Sequence, residues 1–254
     1  MSDMDNPADQ WKQTIIGLPL DSPLRPLSLE HPEQTDAHNI SLGQQQFKVR
    51  LANSEGRRES ASLLIKKMYA WRGYDAAGMG DNPNRITLMA DTGGIAIGTI
   101  TIGLDSPSGL LVDGIYRDVV DRLRAEGCVM CEYTKLAVDQ EIKSKRVLAS
   151  LFHLATIYAH RIHHSTDAVI EVNPRHVLFY QRMLGFEQAG EERMCLRANA
   201  PAVLMRLRYA HLDEQVAKYG GTMHELPGVR SFYPFFFSPE DEQGITARLM
   251  HGEE

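Results

Sequence analysis

Apolar positions in this chain keep no period at first and then settle into alternating strand-like and helix-like stretches. Residues 1–45 carry Pro7, Pro19, Pro23, Pro26 and Pro32 among polar side chains, so a flexible or loosely draped arm is expected there. Order begins at Phe47-Lys48-Val49-Arg50-Leu51, which alternates with the period of two of a half-buried strand. Asn53 or Ser54 then suits a helix cap, and Ala61, Leu64, Met68 and Trp71 share one side of the helix that follows. Residues 73–84 are rich in Gly, Asp and Asn and read as loop. Residues 85–90 and 95–104 read as two strands joined through Asp91-Thr92-Gly93-Gly94, a hairpin signal. After a break at Pro107 to Gly109, Ile115, Val119, Val120 and Leu123 mark another helix.

Residues 128–138 form the next predicted strand, followed by the longest helix, residues 143–163. Its apolar stripe runs Val147, Leu148, Leu151, Leu154, Ala155, Tyr158 and Ile162. Apolar residues return around Val169-Ile170-Glu171-Val172, and Asn173-Pro174 supplies a cap and a first helical residue with no N–H to satisfy. Val177, Tyr180 and Leu184 line one face of a short helix, and Gly185 stands where a left-handed cap is wanted. Phe186 opens another strand, and residues 201–209 supply the last. The order is β-α-β-β-(α)-β-α-β-α-β, an α/β (α+β) class with a mixed twisted sheet of about six to seven strands flanked by helices. It divides into the arm (1–45), a domain (46–212) and an extension (213–254).

Composition narrows the chemistry. The chain has 254 residues, and its formal net charge of -6 argues against a general nucleic-acid binder, which needs clustered excess Lys and Arg. No apolar run reaches the roughly 20 residues of a membrane span. Residues 1–10 are acidic and polar rather than basic and then apolar, so a cytoplasmic protein is expected. Three cysteines, Cys128, Cys131 and Cys195, fit a reducing compartment. Cys128 and Cys131 are three apart on a strand and point to opposite faces, which suits structural thiols rather than a metal site. His160 and His164 have a metal-like spacing, but no third ligand is apparent, so no metal is expected. The run Phe232-Tyr233-Pro234-Phe235-Phe236-Phe237 is too apolar to stand in water; it docks on the domain, forms a lid or meets a partner.

The segment Asn173-Pro174 through Phe179-Tyr180 to Leu184-Gly185-Phe186, together with the element order, resembles the GNAT-like acyltransferase fold. In that fold the strand equivalent to residues 131–138 splays from its neighbour and presents backbone groups to a pantetheine arm, which here implies Leu136 and Val138. Lys143, Lys145 and Arg146 begin the long helix, where the helix dipole favours an anion such as phosphate, although a solvated helix start is the other reading. Coenzyme A dependent members carry a glycine-rich loop at this point. Residues 142–147 contain no glycine, and a phosphopantetheine on an acidic carrier protein would meet Lys and Arg instead.

The resemblance narrows to the bacterial N-acyl amino acid synthase family, relatives of the acyl-homoserine-lactone synthases. It rests on Glu132-Tyr133-Thr134-Lys135-Leu136-Ala137-Val138, on Val172-Asn173-Pro174-Arg175-His176 with Phe179-Tyr180 and Leu184-Gly185-Phe186, and on Ala200-Pro201-Ala202-Val203-Leu204. The Gly98-Thr99 strand and residues 105–113 also fit. The resemblance implies direct transfer of a fatty acyl chain from acyl carrier protein to the amine of an amino acid. No permanently bound cofactor is implied, only the phosphopantetheine-linked donor as co-substrate.

On that implication Glu132 is the candidate base, or else an acid paired with Lys135 or with an arginine of a neighbouring element. Thr134 shares its face if the strand is regular. Tyr180 would protonate the departing thiolate or simply pack against the sheet. Arg175 would hold the acceptor carboxylate, with Arg72 and Lys135 as alternatives. Trp71, with Met68, Val169 and Phe179, would line an acyl groove or belong to the core. A coenzyme A dependent acetyltransferase on a small amine, and a GNAT-like module that binds without turnover, remain open.

Overall fold

The computed structural model describes residues 14–20, 46–70, 82–139, 142, 144–223 and 229–251. Among these residues nine strands and six α-helices are formed, beginning with β1 (Thr14–Pro19), β2 (Gln46–Leu51), α1 (Glu55–Ala70), β3 (Arg85–Thr92), β4 (Ile95–Leu104), α2 (Asp113–Ala125), β5 (Met130–Val138) and α3 (Lys145–Thr156). Then come β6 (Asp167–Val172), α4 (Val177–Leu184), β7 (Glu187–Gln188), β8 (Arg193–Cys195), β9 (Ala200–Arg208), α5 (Tyr209–Tyr219) and α6 (Pro239–His251). The sheet order is β1-β2-β3-β4-β5-β6-β9-β7, with β8 on β9, and the β5–β6 pair is parallel. No described helix is long and apolar enough to cross a membrane.

Local chemistry accounts for most boundaries. Gly93 and Gly94 both have positive φ and make the two-residue turn between β3 and β4, as the Asp-Thr-Gly-Gly signal predicts. Ser144 caps α3 by accepting the Val147 N–H, and Gly185 ends α4 in the left-handed region at φ 77°. Two expectations shift. The long helix starts at Lys145 rather than 143, and its end, Ile157–Ile162, widens into a π-helical turn. The sheet exceeds the expected six to seven strands because β7 and β8 are short additions at β9 and because Thr14–Pro19, inside the expected arm, pairs with β2. Ile16 enters the core there, and Pro19, which has no N–H to donate, falls at the end of an edge strand.

Alternation along the strands separates the two faces of the sheet. Phe47, Val49, Leu88, Ala90, Cys131, Tyr133, Ala168, Ile170 and Met205 point into the main core under α3 and α5. On the other face α1 buries Leu64, Ile65 and Met68 against Met89 and Ala137. Further along, α2 buries Tyr116, Val120 and Leu123 against Met130, Val169 and Leu204. Between these two apolar patches the same face carries Arg85, Thr87, Thr101, Glu132 and Thr134, a polar stripe that neither helix covers.

The aromatic run near the end of the chain is part of the main core. Phe232, Tyr233 and Phe236 are buried, Phe232 stacks on Phe152, and the Tyr233 hydroxyl donates to Leu184 O at 2.5 Å. Of the three roles open to this run, docking is the one observed, and the boundary drawn at 212 falls inside α5. Last of all, α6 packs on the π-turn and on β1. Its Glu242 takes a hydrogen bond from Arg161, whose guanidinium also binds Asp213 of α5. Asp213 is shared with His160, whose other ring nitrogen binds Ser165 O.

One consequence is acid lability. The Phe237 N–H donates to His153 Nδ1, so this buried imidazole is neutral and donates from Nε2 to Glu242. Burial lowers the His153 pKa although Glu242 pulls it up, so below about pH 6.5 the unfolded chain takes the proton first and stability falls. Burial alone would raise the Glu242 carboxyl, but His153 and Arg161 outweigh it and leave it below its ordinary value. Its contribution is therefore present above the unfolded value and lost as pH falls toward the folded one. Both groups act in the same direction. Melting temperature should drop steadily in a thermal series from about pH 7.5 to about 4.5; a flat series would contradict this.

Candidate active site

Arg85, Thr87, Thr101 and Thr134 of the uncovered polar stripe form the floor of a cavity of about 1160 Å³. Its walls come from α1 (Ile65, Tyr69), the loop before α2 (Ser108 to Val112), the β5 segment from Tyr133 to Leu136, the end of β6 (Ile170 to Val172) and the β8–β9 turn. Two strand irregularities open it. The parallel β5–β6 pairing stops at Glu132↔Val169, so the strands separate beyond that point. On its other edge β5 passes from Thr134↔Thr101 to Ala137↔Thr99, so Lys135 and Leu136 together stand opposite the single residue Ile100 in a bulge, with Lys135 at φ 50°. The Lys135 carbonyl accepts from the Thr99 hydroxyl at 2.9 Å, which holds the bulge in place.

Glu132 lies beneath the floor rather than on it. Its side chain is 0% exposed; Oε1 accepts from Arg85 at 2.6 Å and Oε2 from the Val112 N–H at 3.2 Å. Burial raises its pKa, opposed by the backbone N–H groups of residues 111 and 112 and by Arg85. The pairing with a neighbouring arginine is thus the observed state, and Arg85, not Glu132, reaches the cavity wall. Removing one partner of such a buried pair costs about 3–5 kcal/mol. Arg124 fixes the loop that supplies those N–H groups: it binds Asp105 and Asp113 at 2.7–2.8 Å, and Asp113 also accepts the Leu110 N–H.

The other expected residues sort clearly. Thr134, Lys135, Leu136 and Tyr180 all line the cavity. Thr134 Oγ1 is buried with no hydrogen-bond partner among the described residues, so its hydroxyl can bond a molecule that enters the cavity. Burial, helped by Arg85, lowers the Lys135 pKa. Tyr180 sits edge-on to Phe152, Phe179 and Phe186. Arg175 is not on the wall; it is exposed and its Nε lies 3.2 Å from His176 Nε2, because the three-residue turn after Asn173 directs it outward. Val138 is tied into the ladder with Gly98 and is likewise off the wall. Lys145 is exposed and Arg146 half-buried at the start of α3. Val169 belongs to the core, Met68 is buried under α1, and Phe179 is partly exposed. Trp71, Arg72 and Lys143 lie outside the described residues.

Sequence reasoning passed over Arg85, Glu171, Arg197 and the Thr87–Thr101 hydroxyl pair, which are 2.7 Å apart. Glu171 had a visible signal, a lone charge among Ala168, Val169, Ile170 and Val172. Arg197 Nη2 binds it at 2.8 Å, with side-chain exposures of 47% and 13%. An ion pair this open contributes about 0–1 kcal/mol.

A cleft between a bulged strand and a diverging parallel neighbour, floored by hydroxyls and cations, is suited to an extended thioester and a charged acceptor. A family model described as N-acyl amino acid synthase FeeM matches residues 60–208. The chain belongs to this N-acyl amino acid synthase family. Membership makes it an N-acyltransferase with the GNAT-like fold, in agreement with the resemblance carried by residues 132–138 and 172–186. Among solved structures, FeeM, an N-acyl amino acid synthase from uncultured soil microbes, is similar at 28% identity and a TM-score of 0.61, covering 66% of this chain and 93% of that one. An acyl-CoA N-acyltransferase from Pseudomonas aeruginosa is 15% identical with a TM-score of 0.43, over 63% of this chain and 97% of its own. The acyl-homoserine-lactone synthase LasI is 10% identical with a TM-score of 0.45, over 65% and 90%. No curated protein matches the chain. Among the described residues no group of three or more His, Cys, Asp or Glu could hold a metal ion.

Proposed function

We propose that this N-acyltransferase moves a long-chain fatty acyl group from the phosphopantetheine of acyl carrier protein to the α-amine of an amino acid. The amine nitrogen attacks the thioester carbonyl, a C–N bond forms and the C–S bond breaks. The proton shed by the neutral amine balances the one gained by the pantetheine sulfur; an acceptor that enters with an ammonium group releases one further proton to solvent before attack, and no acyl-enzyme forms. Tyr180 is the group suited to protonating that sulfur, and Thr134 is suited to a polar contact with the substrate. Glu132 holds Arg85 on the wall, where the guanidinium attracts the charge that develops on the carbonyl oxygen or the acceptor carboxylate.

The cavity carries this reading. Ligand pockets commonly hold about 300–1,000 Å³, so 1160 Å³ is more than an acetyl group and a small amine require. Apolar Leu51, Ile65, Ile86 and Leu136 on its wall suit an alkyl chain. The choice of carrier protein as donor rests on the glycine-free start of α3, where Lys145 and Arg146 suit one phosphodiester and an acidic protein surface. The test supplies the enzyme with acyl carrier protein or coenzyme A carrying chains from two to about sixteen carbons, together with mixed amino acids, and reads amides by mass spectrometry. Long-chain amides from the carrier-protein donor are expected. Amides from coenzyme A alone would overturn the donor, and acetyl amides alone would overturn the chain length.

A further inference from the structure

The β6 wall of the cavity holds an ion pair to which the reaction above gives no task. Glu171 stands two residues beyond the last β5–β6 pair, at the point where the two strands have parted. Arg197 reaches it from the turn between β8 and β9, and Asn173 and Ala198 lie beside it on the same wall. A carboxylate in this position is costly unless something polar uses it, since the strand is otherwise apolar from Ala168 to Val172. Arg197 is also close enough to Glu132 for its charge to lower that carboxyl's pKa, so the two ion pairs share one chamber.

The two pairs differ in how readily they open. Arg85–Glu132 is short, deeply buried and backed by backbone N–H groups. Glu171–Arg197 is joined through one hydrogen bond and is half open to solvent on the arginine side. We infer that Glu171 and Arg197 form the acceptor subsite, which takes an amino acid as its zwitterion: Arg197 binds the α-carboxylate and Glu171 the α-ammonium. The exchange is one partner for one partner on each side, so no net charge is left in the cavity when the ligand enters. It places the amine on the β6 side of the gap, facing Thr134 and Leu136 of β5.

The inference rests on the N-acylation reading and specifies which acceptors it admits. Free α-amino acids should be acylated well, while their decarboxylated amines and their methyl esters, which lack the carboxylate, should be poor acceptors. Arg197→Gln should raise KM for the amino acid about 10- to 100-fold, with kcat at saturation changed by no more than a few-fold. It should also erase the preference for the amino acid over the corresponding amine, and Arg197→Lys should restore part of it, because the charge returns without the planar fork. Glu171→Gln should raise KM for both acceptors, which share the ammonium group. Thermal melts check that each variant is folded. Amide formation with an unchanged KM in Arg197→Gln, or wild-type enzyme indifferent to the carboxylate, would overturn the subsite alone. No amide from the wild-type enzyme with any donor would overturn the N-acylation reading, and the subsite with it.

Discussion

Glu132→Gln should leave the chain folded and lower turnover by a factor of about 100 or more. Glutamine keeps the shape but has one acceptor oxygen where glutamate has two, so it can accept from Arg85 or from the Val112 N–H while its NH2 faces the other donor, a local cost that leaves the surrounding core in place. What disappears is the negative charge that holds the guanidinium at 2.6 Å. The pH profile of kcat/KM separates two ways of losing activity. A carboxyl that accepts the amine proton would take the acidic limb of the profile with it when replaced. A carboxyl that positions Arg85 would leave the limb and lower the whole curve. The second result is expected, because both oxygens are engaged and the side chain is fully buried. An unchanged rate would remove Glu132 from the site altogether.

A chain ending after Thr222 should fail to fold. It would lose Phe232, Tyr233, Phe236 and Ile245, each at most 3% exposed and each in the main core. At about 1.5–3 kcal/mol for each buried side chain the loss is roughly 6–12 kcal/mol, comparable with the roughly 5–15 kcal/mol that keeps a typical domain folded. The truncation would also uncover Phe152 and strip Glu242 from His153 and Arg161. Circular dichroism and a thermal melt decide it. A cooperative transition near that of the full chain would show the domain to be complete without this segment.

The fold was legible wherever a local signal coincided with the tertiary demand. Asn173-Pro174, Gly185 and the Gly93-Gly94 turn each settle their own backbone geometry, and the alternation from Phe47 to Leu51 already separates the two faces of β2. The site was half legible. Thr134, Lys135, Leu136 and Tyr180 line the cavity because motif and parity agree there. Arg175 was misplaced because a three-residue turn, whose direction no periodicity reveals, carries it outward. Arg85 and Arg197 were missed because what makes each of them matter is a partner 47 or 26 residues away, across strands whose register is unknown until they pair. The π-turn after α3 and the bulge at Lys135 likewise depend on what packs against them.

The contact between β1 and α6 joins the first and last described elements of the chain. A ribosome adding roughly 5–20 residues per second would release α6 on the order of ten seconds or more after β1 has left the exit tunnel. Until then the edge strand lacks the surface that covers it, and Ile16 and the aromatic partners on α3 stay open to water. Closure between such distant segments also carries a loop-entropy cost that is repaid only late. The domain therefore closes only once this last described helix has emerged from the ribosome. That interval is the one in which a chaperone would matter most for its yield.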